Sequence, residues 1–162
     1  VINSQFDPMK SSVPADVTPT FDARMHDVSR FPLVRLRRRA VQPGYAFAWR
    51  VEMERLLALN TPFVIVSDHH ADETLDDMRL RAAWLRSRQS TLGMLCKGLI
   101  VVEPRIEARA TTREAVRAMA QGSGIRVMVV SSMRVAGELV PVLLKHAGSD
   151  AVAHGETLIH AR

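Results

Sequence analysis

From Phe31 onward, short apolar runs alternate with longer segments of helical period. Phe31-Pro32-Leu33-Val34-Arg35-Leu36 predicts a first strand, with Pro32 near its start, where no ladder donor is needed. Gln42-Pro43-Gly44 marks a turn. Trp49, Met53, Leu56 and Leu57 then recur at helical spacing over residues 45–59, with Arg50, Glu52, Glu54 and Arg55 elsewhere on the wheel. Phe63-Val64-Ile65-Val66, bounded by Pro62 and Asp68, reads as a strand buried on both faces, as in parallel sheets. A long helix is predicted over residues 72–94, with Asp72 as cap and a stripe of Leu75, Met78, Ala82, Leu85, Gln89 and Leu92. Its acidic first turns and arginine-bearing later part both complement the helix dipole.

Leu99-Ile100-Val101-Val102 predicts a third strand. Thr111 and Glu114 form a capping-box pattern for a third helix, which Gly122 suits as its stop, and Ala115, Val116, Met119 and Ala120 give that helix a narrow apolar face. Residues 125–130 predict a fourth strand. Residues 134–146 predict a fourth helix that contains Pro141 and stops at Gly148. The tail from Ser149 is polar, with a short strand pattern near residues 157–159. Residues 1–30 carry Pro8, Pro14 and Pro19 and no regular period. They read as an extended arm strapped over the body or a partner by Phe6, Phe21 and Met25.

The expected fold is therefore α/β: a mainly parallel sheet of four or five strands flanked by about four helices, in β-α-β-α-β-α-β-α order. The expected domains are an arm over 1–30, an α/β body over 31–148 and a tail over 149–162. Small regulatory domains of the sulfate-transporter and anti-sigma-antagonist type resemble this layout. Their Asp-Ser-Ser-Gly pattern is absent here, so the resemblance is architectural and carries no functional residue across.

Composition narrows the class without naming a function. In 162 residues, 47% hydrophobic side chains suffice for a core, and one cysteine excludes an internal disulfide. No apolar run approaches the roughly 18 residues needed to span a membrane. The arm lacks the basic start and apolar centre of a secretory signal, and a cytoplasmic location is expected. The net charge is +5, and all but three of the 22 basic residues (Lys10, Lys97 and Lys145) are arginine, a skew that codon usage in a GC-rich genome explains. The whole excess falls in residues 82–162. The densest run, Arg35, Arg37, Arg38 and Arg39, could meet phosphates, but strand-end charges in solvent explain it equally well, and no nucleic-acid motif accompanies it.

Ligands of open α/β sheets bind beyond the carboxyl ends of the strands. The richest such segment is Ser67-Asp68-His69-His70-Ala71-Asp72-Glu73, whose imidazoles and carboxylates suit a divalent metal or acid–base work. Adjacent histidines point in different directions, which weakens a single-metal reading, and no metal or other cofactor is assigned. Val64-Ile65-Val66-Ser67-Asp68-His69-His70 resembles the Asp-His-His signature of a phosphoesterase family that uses two manganese ions. That family also places aspartates after earlier strands, where this chain has Arg37-Arg38-Arg39, and it has two domains, so no role is carried over from it. Ser131, Ser132 and Arg134 offer an anion site at a helix start, against a plain capping role. The spacings of a P-loop and of a serine-hydrolase elbow are absent. Cys96 reads as a buried thiol, and the eight methionines read as adaptable core or as a forgiving protein-binding face.

The leading expectation is a small, non-catalytic regulatory or protein-interaction module that associates with a partner or with itself. The first alternative is a small enzyme or ligand-binding protein using Asp68, His69, His70, Ser131 and Ser132. The second is a nucleic-acid-binding protein using Arg35, Arg37, Arg38 and Arg39.

Overall fold

A computed structural model describes residues 23–68 and 73–153 of the chain, with side chains through Lys145. The strands are β1 (His26–Arg30), β2 (Leu33–Leu36), β3 (Phe63–Asp68), β4 (Cys96–Val102) and β5 (Val127–Val130). The helices are α1 (Ala46–Ala58), α2 (Leu75–Ser87), α3 (Gln89–Leu95), α4 (Arg109–Ala120) and α5 (Met133–Ala153). The sheet order is β1-β2-β3-β4-β5, with β1 antiparallel to β2 and the remaining pairs parallel. This is the expected α/β sheet, with five strands among the described residues. Among the described residues no helix is long and apolar enough to cross a membrane.

The consecutive strand order fixes the layers. Successive right-handed crossovers that always step in one direction put their helices on one face. Trp49, Met53, Leu56 and Leu57 of α1, Trp84 and Leu85 of α2, and Leu92 and Leu95 of α3 accordingly share a core with Val34, Leu36 and Ile65 of the sheet. Met119 of α4 packs against the same core. Among the described residues only α5, which follows the last strand, covers the other face, where Ala136, Val140 and Leu143 meet Val64, Val66, Ile100, Val102 and Val130.

Several boundaries differ from the sequence reading. The expected arm gives way at His26, because residues 26–30 pair with β2 as an edge strand. Met25 is buried in the core, as the strap reading anticipated, and residues 1–22 lie outside the described residues. The strand is held by α1: both carboxylate oxygens of Glu52 accept backbone N–H groups, from Arg24 at 2.6 Å, Met25 at 2.9 Å and His26 at 2.9 Å. An edge strand pinned by a side chain on another element leaves no periodicity in its own sequence.

The long helix expected over residues 72–94 is two helices, broken at Arg88, where Ser87 Oγ donates to the Trp84 carbonyl and competes with the helical ladder. Its cap is Thr74, whose Oγ1 accepts the Asp77 N–H at 3.1 Å. The expected stripe holds at Leu85 and Leu92, which are buried with Trp84, but Leu75 and Met78 are exposed, and Asp77 and Arg81 are buried in their place. Asp77 faces inward because α1 has no side-chain cap of its own. The Asp77 carboxylate accepts the N–H groups of Gly44 (2.8 Å) and Ala46 (3.1 Å) and so caps α1 from a neighbouring helix. Gly44, at φ +86°, supplies the left-handed turn that aims these donors.

The capping box expected at Thr111 and Glu114 is not formed. A 3-10 turn over Ile106–Ala108 starts α4 at Arg109, so Thr111 falls inside the helix. Gly122, at φ +75°, does follow that helix, as expected. The fourth helix runs through Pro141 and past Gly148 to Ala153, so the first part of the expected tail is helical. The strand pattern at residues 157–159 lies outside the described residues.

Candidate functional site

The helical layer does not close over the sheet. A half-open cleft of about 520 Å³ runs between α2 and α4, floored by Leu36, Ile65, Leu99 and Val101, with Trp49 and Met53 of α1 behind it. Its walls are Met78, Ala82 and Leu85 on one side and Ala115, Val116 and Met119 on the other. The cause lies in side-chain volume. Where an ordinary layer presents leucine or isoleucine, α4 presents alanine, and Leu99 in a central strand is left only half-buried. Protein interiors hold few voids larger than a water molecule, so a space of this size exceeds packing slack. Its volume falls in the range of small-molecule sites.

One end of the cleft is polar. Ser67 and Asp68 close β3 there, and Glu73 and Arg81 join them. Arg81 Nη2 donates to Glu73 Oε2 at 2.7 Å, and Arg81 Nη1 donates to Tyr45 Oη at 2.7 Å. Tyr45 Oη in turn donates to Glu73 Oε1 at 2.5 Å. Burial pushes the Tyr45 phenol well above its ordinary range, so it stays a neutral donor. Burial alone would also raise the Asp77 carboxyl. The Thr74 hydroxyl, the Gly44 and Ala46 N–H groups and the Arg81 charge outweigh it and hold Asp77 below the usual carboxylate range.

A second buried polar group lies in the same layer. His26 is fully buried, and its Nδ1 lies 2.9 Å from Glu52 Oε2. Burial works to raise the Glu52 carboxyl, but the His26 ring and three backbone N–H groups bring it down to about 2. This carboxylate–imidazole pair is structural in its contacts, because Glu52 is saturated by the backbone it anchors.

The residues singled out in the sequence separate in space. Asp68 stands at the end of β3 beside the cleft and faces Arg35 Nη2 at 3.6 Å. Ser131, Ser132 and Arg134 follow β5, and β4 lies between β3 and β5. Ser132 Oγ accepts the Val135 N–H at 3.3 Å as a helix cap, and Arg134 pairs with Glu138 at 2.5 Å. None of these three lines the cleft. His69 and His70 lie outside the described residues. Among the described residues no three His, Cys, Asp or Glu side chains gather as a metal site. Arg37 donates to the Ala23 carbonyl at 3.0 Å, whereas Arg38 and Arg39 are exposed. Cys96 is buried, and burial pushes its thiol up to about 12, so it is a poor nucleophile.

Sequence reasoning missed Tyr45, Glu73 and Arg81 as a unit because it assigned the helix charges to solvent and to the dipole. One signal was present: Arg81 stands four residues after Asp77, which places those two on one side of the helix, and Glu73 lies just before the helix cap. The alanines of the third predicted helix were a second signal, read there only as a narrow face. Comparisons with family models, with curated proteins and with solved structures find nothing that matches this chain.

Proposed function

We propose that this chain is a non-enzymatic regulatory module whose input is a small, largely apolar molecule held in the cleft between α2 and α4. The observation that carries the reading is the cleft itself: about 520 Å³ of mainly apolar space over the face of the sheet, with a few polar groups gathered where it reaches the carboxyl end of β3. Exposed apolar side chains on the helical layer support an output. Leu75 and Met78 of α2 are about half exposed, and Ile106, just before α4, is 77% exposed. Helices that follow strands begin at the carboxyl edge of the sheet, so these side chains crowd one edge, where a protein partner or a second copy would sense occupancy.

N-phenyl-1-naphthylamine, a neutral apolar dye, tests the reading. It is expected to bind with one-to-one stoichiometry, to quench Trp49 on the cleft wall and to raise the melting temperature. Ala115→Trp, on a wall of the cleft, is expected to abolish these effects while the fold remains intact by circular dichroism. Dye binding that is absent from the folded protein, or unchanged in Ala115→Trp, would overturn the reading. Light scattering with and without dye then reports whether occupancy changes self-association.

A further inference from the structure

The sheet has two edges, and the chain treats them differently. β1 carries Asp27, Ser29 and Arg30, and its register with β2 shifts between Asp27 and Arg30. Charge and irregular register guard an edge against further pairing. β5, at the other end, reads Val127-Met128-Val129-Val130, with no charge, no proline and an unshifted register against β4. The carbonyls of Arg126 and Val130 accept the N–H groups of Leu99 (2.8 Å) and Glu103 (2.9 Å), so the even-numbered residues bond toward β4. The N–H and C=O groups of Val127 and Val129 therefore point away from the sheet, along an edge that no other described strand covers.

The helices beside this edge differ in chemistry. On α4, Ala115 and Met119 line the cleft toward α2. At about 100° per residue, Arg113 and Arg117 project from the opposite flank, out over β5. Both are exposed, and neither has an ion-pair partner among the described residues. α5 runs in the same direction across the other face of the sheet. Right-handed helices running one way on opposite faces turn opposite flanks to a given edge, so α5 turns Val135, Leu139 and Val142 toward β5. Val142 is 47% exposed.

We propose that the β5 edge receives an extended segment of a partner protein as a further strand, with acidic side chains toward Arg113 and Arg117 and apolar ones toward the α5 flank. Main-chain hydrogen bonds to Val127 and Val129 hold the segment. Side chains of a strand alternate between the two faces of a sheet, so the basic flank and the apolar flank read alternate residues. A second copy of this chain fits less well. Two β5 edges paired about a twofold axis bring Arg113 and Arg117 of one copy toward those of the other, which sets like charges together. The edge lies on the far side of α4 from the cleft, so the docking surface does not depend on what the cleft holds.

The fluorescein-labelled peptide Val-Glu-Val-Glu-Val-Glu-Val, titrated with the full chain at pH 7 and followed by anisotropy, provides the test. It is expected to bind at least about tenfold more tightly than the same peptide with lysine in place of glutamate. The double variant Arg113→Glu/Arg117→Glu changes only exposed positions and is expected to reverse that preference. Hydrogen exchange at the Val127 and Val129 amides is expected to slow when the peptide binds. No peptide binding, a smaller preference, a preference unchanged in the double variant, or amides at Val127 and Val129 that stay unprotected would each overturn the proposal. A dimer in light scattering that excludes the peptide would assign the edge to a second copy and overturn it as well. The wild-type preference and the amide protection decide if the double variant does not fold.

Discussion

The two faces of the sheet are built from different materials. Under α5 the described contact is apolar: Val64, Val66, Ile100, Val102 and Val130 meet Ala136, Val140 and Leu143, with Met128 and Met133 at its margin. Across the sheet, the layer of α1 to α4 buries Glu52, His26, Asp77 and Arg81 among its tryptophans, leucines and methionines. The first face gains stability from area and tolerates exchange of one aliphatic residue for another. The second is tied by groups that fail badly when one partner is removed, because the survivor stays buried and unpaired. The charged ties also explain the cleft. Asp77 fixes α2 to the start of α1, and Glu52 fixes β1 to α1, so the layer is held at its edges without α4 having to fill the space between. A layer braced in this way can keep a ligand-sized gap, whereas the described core contacts of the α5 face are apolar and gain from close packing.

The largest effect that would break this contrast is expected at Glu52. Glu52→Ala leaves three backbone donors and His26 without their acceptor, and urea unfolding is expected to show a loss of about 3–5 kcal/mol. A loss below about 1 kcal/mol would mean that β1 is held by its ladder alone.

Acid should act through the same residue. Its carboxyl sits at about 2 in the folded chain, below its ordinary 4.5, so the stability it contributes is present above about pH 4.5 and is lost as pH falls toward 2. The amount is on the order of 3 kcal/mol. Glu52→Gln is expected to flatten the curve through that window and to converge with the parent near pH 2. Parallel curves would place the acid sensitivity elsewhere, with Asp77 the first alternative.

Asp77→Ala is expected to cost about 2 kcal/mol, through lost capping of α1. Hydrogen exchange should localise the effect to the N–H groups of Gly44 and Ala46. On the opposite face, Ile100→Val removes one buried methylene and is expected to cost about 1 kcal/mol in the same unfolding assay. If Ile100→Val proved as damaging as Asp77→Ala, the distinction between an area-built and a tie-built face would be lost.

Legibility in the sequence followed the same division. Val64, Ile100 and Val102 announced their strands through continuous apolar runs, because a strand covered on both sides has no other composition open to it. Trp49, Met53, Leu56 and Leu57 announced α1 through their spacing, and all four are buried. Glu52, on the same helix, was assigned to the polar side because a carboxylate there is usually solvated, and only the passing strand supplies the donors that let it be buried. Asp77 and Arg81 were misplaced for the same reason, and their burial pushed Leu75 and Met78 outward. Asp68, singled out from its place after a buried strand, lines the cleft. Glu73 stood in the same segment, but its partnership with Tyr45 and Arg81 was missed, since it joins two helix starts far apart in the chain. Ser131, Ser132 and Arg134 looked equal to Asp68 by local chemistry, and β4 separates them from it.

The sequence by itself determined the α/β class, the parallel core strands and the buried, unreactive character of Cys96. Each follows from hydrophobicity read over a few neighbouring residues. The tertiary structure alone decided that β1 joins the sheet, that charged side chains tie the helical layer together, and that α2 and α4 stand apart over a floor of Ile65, Leu99 and Val101. These depend on where a donor, an acceptor or an absent side-chain volume from a distant segment arrives. A local pattern records what a residue prefers, and the assembled layers decide which preferences are met.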